Sequence, residues 1–110
     1  MAMQKTIRTP KGEASYWIAG LVQIDNYNKT AYGRLYGFID KEQCDEFGSS
    51  PVLMLDYNIT PDIYPYYFEK EIMIQEGVTP QTQFYQIVKD KNYLDEQNKI
   101  INFKDALEVY

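Results

Sequence analysis

The chain has 110 residues, which predicts a single domain spanning residues 1–110 that buries a core without needing a disulfide or a metal. Its hydrophobic fraction of 45% and aromatic fraction of 15% exclude a disordered chain. The net charge of −5 and the pI near 4.6 argue against nucleic acid as a partner, because binding to phosphates needs a basic surface.

The first ten residues, MAMQKTIRTP, contain no apolar segment, so we expect no signal peptide. We interpret them as an extended lead-in, because Pro10 disfavours helical backbone angles at Thr9. Apolar runs such as VLML, residues 52–55, are far shorter than the roughly 20 residues that span a bilayer, so we expect no membrane partner. Cys44 is the only cysteine, which excludes an intrachain disulfide and favours a cytosolic or virion protein.

A long hairpin is predicted next. Residues 14–26, ASYWIAGLVQIDN, carry β-branched and aromatic residues without helical spacing, which is typical of a strand. NYNK, residues 26–29, is typical of a turn, because asparagine tolerates left-handed backbone angles. AYGRLYGFID, residues 31–40, is the expected return strand, and a polar connection with one helical turn follows over residues 41–50.

The pairing of this hairpin can be predicted by placing Tyr27 and Asn28 at its tip, so that paired residue numbers sum to 55. One face of the hairpin would then be apolar, and on it each glycine would pair with a larger side chain of the other strand. Such pairing fills a sheet face without overpacking it. The members of the apolar face would be Tyr16, Ile18, Gly20, Val22 and Ile24, opposite Ile39, Gly37, Leu35, Gly33 and Ala31. The other face would pair Trp17 with Phe38, Ala19 with Tyr36, Leu21 with Arg34, and Gln23 with Tyr32.

The second half of the chain predicts two strands and a helix. VLMLDYNIT, residues 52–60, is expected to be a third strand, and the alternation in YYFEKEIMI, residues 66–74, predicts a fourth. Thr79 and Pro80 provide an N-cap and a first helical residue, so we predict a helix over about 80–91. IINFKDALEVY is expected to close the domain as a short strand or helical turn. The predicted fold class is therefore α+β: an antiparallel β-sheet of four to five strands with one C-terminal helix packed on one face.

The composition excludes enzyme chemistry that depends on histidine or on an ordinary zinc site. The chain has no histidine, which excludes Ser-His-Asp and Cys-His catalytic groups and the commonest general base near neutral pH. One cysteine without histidine does not make an ordinary zinc site, and no glycine-rich phosphate-binding motif occurs. We therefore expect a protein that is not an enzyme, with no catalytic residue, metal or cofactor.

Two groups of carboxylates allow a functional interpretation and a simpler one. The acidic residues of the first polar connection do not have the spacing of a calcium loop, so a solvated loop is favoured; they are Asp40, Glu42, Asp45 and Glu46. Glu69 and Glu71 would share one face of the predicted fourth strand, as a glycosidase pair does. The solvent face of a strand carries such residues routinely, so a solvent-exposed pair without a catalytic role is favoured over a glycosidase pair.

The non-aliphatic face of the predicted hairpin is the candidate binding surface. Tryptophan, tyrosine and arginine are enriched among the residues that dominate protein interfaces. The residues predicted to bind a partner are Trp17, Tyr32, Arg34, Tyr36 and Phe38. The alternative is that a second layer of the same chain covers this face, although one helix seldom covers both faces of a sheet.

Three phrases of the sequence resemble short proteins encoded in phages and prophages of Gram-positive bacteria. IRTPKGEASYWIAGLVQIDNYNKTAYGRLYGFIDKE, residues 7–42, is similar to their opening strands and turns. TPQTQFYQIVKD, residues 79–90, and FKDALEV, residues 103–109, are similar to their helix and closing phrase. The resemblance implies a virion-associated structural protein of tail or baseplate type, located in the virion or the bacterial host cytoplasm, and it carries over no catalytic residue.

The implied partners are other protein subunits, including further copies of the chain in a homo-oligomer. One alternative is a small binding module that holds a host glycan or peptide on the aromatic face, with Gln23, Asp25 and Asp40 beside it. Another is a cytoplasmic regulator that mimics an acidic partner, which depends on the net charge alone.

Overall fold

The computed structural model describes residues 2–46, 50–91, 93–94 and 100–109, with the backbone alone for 93, 94 and 100. Five antiparallel strands form the larger sheet in the order β4-β3-β2-β1-β7; their bounds are β1 Ala2–Thr9, β2 Gly12–Asp25, β3 Thr30–Phe38, β4 Leu53–Ile59 and β7 Leu107–Val109. A second, two-stranded sheet pairs β5 (Tyr93–Leu94) with β6 (Ile100–Ile101). The predicted α+β class, with an antiparallel sheet of four to five strands, is confirmed.

Four helices occur in the described part of the chain: α1 Lys41–Asp45, α2 Pro65–Phe68, α3 Lys70–Met73 and α4 Pro80–Asp90. The helix predicted over 80–91 is confirmed as α4. Its N-cap Thr79 accepts a hydrogen bond from the backbone of Thr82 at 3.1 Å, and the Thr82 hydroxyl accepts one from the Thr79 backbone at 2.9 Å. None of these helices has the length and apolar character that crossing a membrane requires.

The predicted strand over residues 66–74 is wrong, because α2 and α3 occupy this segment. Tyr64 and Phe68 are four residues apart and only 1% and 3% exposed, so the relevant apolar spacing is that of a helical turn. Pro65 begins α2, a position where its missing N–H costs nothing. Glu69 then has extended angles, φ −62° and ψ 152°, and this break between two short helices produced the misleading alternation.

The predicted lead-in is a full strand. β1 lies between β2 and β7, so residues 2–9 are hydrogen-bonded on both sides for part of their length. The chain turns back at Pro10 and Lys11, and Gly12 has φ +148°, which is a conformation that few other residues adopt. The sequence predicted the extended backbone but not its place inside the sheet.

The predicted hairpin register is confirmed only near the tip. Pairs from Leu21–Arg34 to Asp25–Thr30 sum to 55, as expected. The register shifts by one at Gly20, so Trp17 pairs with Gly37 and not with Phe38. Such a β-bulge moves every following side chain to the opposite face of the sheet.

Trp17 is consequently in the core and 0% exposed, so its predicted place on the open face is wrong. Its indole N–H donates to the backbone oxygen of Lys5 at 2.9 Å, and its ring meets Phe103 edge-on with centroids 5.2 Å apart. Gly37 leaves the room for this ring, because a Cβ at position 37 would lie 2.5 Å from Trp17 Cζ3. By the same shift Tyr16 and Ile18 leave the predicted apolar face.

We call the sheet face that carries Leu35 and Leu55 the inner face, and the opposite one the outer face. The inner face belongs to the main core, which includes four residues of α4: Phe84, Tyr85, Ile87 and Val88. The ring of Phe84 occupies the space that a side chain at Gly33 would need and meets the Tyr57 ring edge-on at 5.5 Å. The Tyr85 hydroxyl accepts a hydrogen bond from the backbone N–H of Ala19 at 2.7 Å.

Candidate functional site

The outer face of the sheet is open where the inner face is sealed. Along β4 the inner-face residues, Leu53, Leu55, Tyr57 and Ile59, are 3–7% exposed. The alternate residues of the same strand are exposed, and Met54 is 56% accessible to solvent. Leu21 of β2 and Leu107 of β7 add exposed apolar side chains at 37% and 66%. These exposed apolar side chains lie on three different strands of one face, which makes this face a candidate surface for contact with another molecule.

Strand pairing arranges the outer face in rows of three residues, one each from β2, β3 and β4. Residues directly opposite in an antiparallel sheet point to the same side, so each row is a contiguous strip of surface. The rows are Ile18–Tyr36–Met54, Leu21–Arg34–Asp56 and Gln23–Tyr32–Asn58.

A polar cluster joins β3 to the edge strand β4 on this face. Arg34 Nε donates to Asp56 Oδ1 at 2.7 Å, and the Tyr32 hydroxyl donates to the same oxygen at 2.8 Å. The bond from Arg34 holds the pKa of Asp56 below its usual value, and Asp56 in turn raises the pKa of Arg34. The pKa of Tyr32 is raised because its hydroxyl donates to the Asp56 carboxylate. Arg34 and Asp56 therefore neutralise each other's charge, and the Tyr32 hydroxyl shares the same carboxylate.

Tyr36 is positioned by the bulge. Its ring lies against Gly20 so closely that any Cβ at position 20 would overlap it. A hydrogen bond between Tyr36 and Arg34 contributes to the raised pKa of Arg34. The bulge thus holds an aromatic ring flat on the sheet beside the polar cluster.

Of the five predicted partner-binding residues, Tyr32, Arg34 and Tyr36 lie together on the outer face and are partly exposed. Trp17 is in the core, as described above, and Phe38 at the end of β3 is 5% exposed. The predicted accessibility of these last two is therefore wrong. The alternative, that other parts of the same chain bury these residues, therefore holds for Trp17 and Phe38 and not for Tyr32, Arg34 and Tyr36.

Sequence reasoning missed Ile18, Met54 and Asp56 on this face. Ile18 was misplaced by the undetected bulge. Met54 and Asp56 alternate with buried leucines in β4, and this alternation could have identified the outward positions. Their place beside β3 depends on long-range pairing, which local patterns do not reveal.

A cleft of about 720 Å³ opens at the hairpin end of the sheet; its lining includes Gln23 and Asp25 of the outer face and Ile24, Ala31 and Ile59 of the inner face. Asp25 holds the turn, because its carboxylate accepts bonds from the backbone N–H groups of Tyr27 and Asn28, both at 3.0 Å, and from the Asn28 amide. These bonds, chiefly those of Asn28, lower the pKa of Asp25.

Asp40, which was expected beside the aromatic face, follows β3, at the end of that strand opposite to Gln23 and Asp25. It caps α1 by accepting a hydrogen bond from the Gln43 backbone at 2.9 Å. Gln23 and Asp25 therefore lie at the hairpin end of the sheet, and Asp40 lies at its other end, where it caps α1.

The carboxylates and the cysteine considered from the sequence do not form a strand-face pair or a metal-binding group in the described residues. Glu71 lies in α3 and Glu69 precedes it, so they share no strand face. Cys44 is half-buried in α1, and this burial, with the nearby charge of Asp45, raises the pKa of its thiol. Within residues 2–46, 50–91, 93–94 and 100–109, no three acidic or cysteine side chains come together as a metal site would require.

Comparisons of the chain with protein-family models, with curated proteins and with solved structures gave no significant match.

Proposed function

We propose that the chain is a non-enzymatic structural protein of a phage or prophage particle, of tail or baseplate type, which binds other protein subunits through the outer face of its sheet. The observation that supports this is the contrast between the two faces at β4, where inner residues are at most 7% exposed and Met54 is 56% exposed. The resemblance of residues 7–42 to short phage-encoded proteins supplies the class of particle.

In this proposal α4 is the helix that packs on one face of the sheet and leaves the other to a partner. Four α4 residues are buried with the inner face, and Phe84 fits against Gly33. The outer-facing residues of β4, Met54, Asp56 and Asn58, are exposed, so no element in the described part of the chain covers them. The outer face then remains available to a neighbouring subunit.

The chemistry of the outer face favours contact through rings and apolar side chains. The charges of its polar cluster neutralise each other, because Arg34 Nε lies 2.7 Å from Asp56 Oδ1. Tyr32 and Tyr36 lie on either side of Arg34, and tyrosine and arginine are enriched at the centres of protein interfaces. A subunit with an apolar or aromatic patch would fit this surface better than a strongly charged one.

The test uses particles purified after induction of the prophage that carries the gene. We expect the chain to be present in them at a fixed copy number, measured by quantitative mass spectrometry. Met54→Glu should reduce this copy number several-fold, because it places a charge in the contact. Ile74→Glu is the matched control, since Ile74 is an apolar side chain, 73% exposed, outside the sheet.

Two results would contradict the assembly role: particles that lack the wild-type chain, or equal incorporation of both variants. Sedimentation of the purified chain at several concentrations measures self-association separately. If copies of the chain are the partner, Met54→Glu should weaken the oligomer and Ile74→Glu should not.

A further inference from the structure

The cleft at the hairpin end has the size and position of a ligand site. It lies where β2 ends, β3 begins and β4 ends, and its volume of about 720 Å³ is within the usual range of small-molecule sites, about 300–1,000 Å³. Side chains from all three strands and the loop after β4 line it, including Gln23, Asp25, Tyr32, Asn58, Thr60 and Pro61.

The row Gln23–Tyr32–Asn58 places an aromatic ring between two primary amides. Both amide side chains are on exposed residues, and neither forms a hydrogen bond with any other group in the described part of the chain. A primary amide offers two donors and one acceptor. The cleft therefore presents unengaged donors and acceptors on both sides of the ring.

The ring itself is held in place. The Tyr32 hydroxyl donates to Asp56 Oδ1 at 2.8 Å, which fixes the side chain at its far end. The turn beneath it is fixed by Asp25, which accepts the backbone N–H groups of Tyr27 and Asn28. A site ordered before binding loses less conformational entropy when a ligand arrives.

The charges of the cleft disfavour an anion. Its wall carries the Asp25 carboxylate and, among the described residues, no lysine or arginine. The nearest guanidinium on the outer face, that of Arg34, is already bound to Asp56. The Asp25 carboxylate already accepts three hydrogen bonds from the turn, so it is not a free partner for a cation either, and a polar, uncharged ligand is favoured.

We propose that this cleft binds a neutral oligosaccharide, with one sugar ring against Tyr32 and its hydroxyl groups bonded to Gln23 and Asn58. A sugar hydroxyl both donates and accepts, as an amide does, and the C–H face of a pyranose is apolar enough to lie on an aromatic ring. This binding site does not depend on the assembly role, because the isolated chain contains all of it.

The experiment begins with an array of neutral oligosaccharides and their sialylated and sulfated counterparts, probed with the fluorescently labelled full chain. Each neutral ligand found is then titrated into the 15N-labelled chain and followed by NMR. We expect the backbone signals of Gln23, Tyr32 and Asn58 to shift. The double variant Gln23→Ala/Asn58→Ala should raise the Kd by about tenfold or more, since it removes at least two hydrogen bonds.

Gln4→Ala is the matched control, because Gln4 is an exposed glutamine that pairs with Tyr16, far from the hairpin end. It should bind as the wild type does. The proposal is overturned if no neutral oligosaccharide binds, if acidic glycans bind more tightly than neutral ones, or if the control loses as much affinity as the double variant. Sugar binding is read on the isolated chain, so its failure leaves the particle test of assembly unaffected.

Discussion

The indole ring of Trp17 lies on Gly37 of the neighbouring strand, in a space that exists only because position 37 has no side chain. Trp17 reaches it through the bulge at Gly20, which turns this part of β2 over. The same bulge sends Tyr16 and Ile18 to the outer face. One inserted residue therefore decides both the composition of the core and that of the candidate interaction surface.

The fluorescence of Trp17 reports directly on this arrangement, because it is the only tryptophan of the chain. We expect the native emission to be shifted to shorter wavelength than that of the urea-unfolded chain and to resist quenching by acrylamide, since the side chain is 0% exposed. If acrylamide quenches the fluorescence of the native chain as strongly as that of the unfolded chain, the bulged register is contradicted.

Gly33→Ala should destabilise the protein by about 1–3 kcal/mol, because the new methyl group overlaps the fully buried ring of Phe84. The free energy of unfolding, measured by urea denaturation, tests this. The double variant Gly33→Ala/Phe84→Leu provides the control, because a smaller side chain at position 84 makes room for the methyl group. If the double variant loses as much stability as Gly33→Ala and Phe84→Leu lose together when measured singly, the two residues are not in contact.

Acid should remove the contribution of the Arg34–Asp56 ion pair to the stability of the fold. Arg34 lowers the folded-state pKa of Asp56, so the stabilisation is present above the ordinary aspartate pKa of about 3.9 and is lost as pH falls through the lower folded value. Asp56→Asn should therefore melt at a lower temperature than the wild type at pH 7. The difference in melting temperature should shrink as pH falls below the ordinary aspartate pKa of about 3.9.

Glu76→Gln is the matched control for this charge removal, because Glu76 is exposed and has no ion pair within the described residues. We expect its melting temperature at neutral pH to stay close to that of the wild type. A loss at pH 7 equal to that of Asp56→Asn would mean that net charge, and not the pair, is responsible.

Alkaline stability should depend on Tyr67. Burial, together with its hydrogen bond to Asp90 at 2.7 Å, raises the pKa of Tyr67 to about 12. Its stabilisation is complete below the unfolded value near 10 and is lost as pH rises from there through about 12. Tyr67→Phe should cost about 1 kcal/mol at neutral pH through the lost hydrogen bond, and its stability should fall less steeply between pH 10 and 12.

Tyr66→Phe is the control, since Tyr66 is adjacent in the chain but 77% exposed. Urea denaturation at stepped alkaline pH should give this variant the slope of the wild type. An equally reduced slope in both variants would assign the effect to tyrosines in general.

Local patterns predicted much of the architecture. Thr79 and Pro80 located the start of α4, because capping and proline geometry act within one turn. The strand predicted over residues 52–60 is β4, and the asparagine-rich turn fixed the hairpin tip and the register beside it. The composition of the outer face was predicted in part, through Tyr32, Arg34 and Tyr36.

The segment of residues 65–73 shows where local patterns fail. Two helical turns separated by an extended residue, Glu69, reproduce the alternation of a strand. Only the common burial of Tyr64 and Phe68 against the core distinguishes the two, and burial is a property of the assembled molecule.

The sequence by itself determined the fold class, the hairpin and the long helix, because these follow from backbone preferences and from apolar spacing between near neighbours. The tertiary structure alone decided which face each residue of β2 takes and which side chains meet across strands. A bulge costs little locally and is selected by packing, here of Trp17 on Gly37 and Tyr36 on Gly20, and such fits between distant residues have no counterpart in the linear pattern.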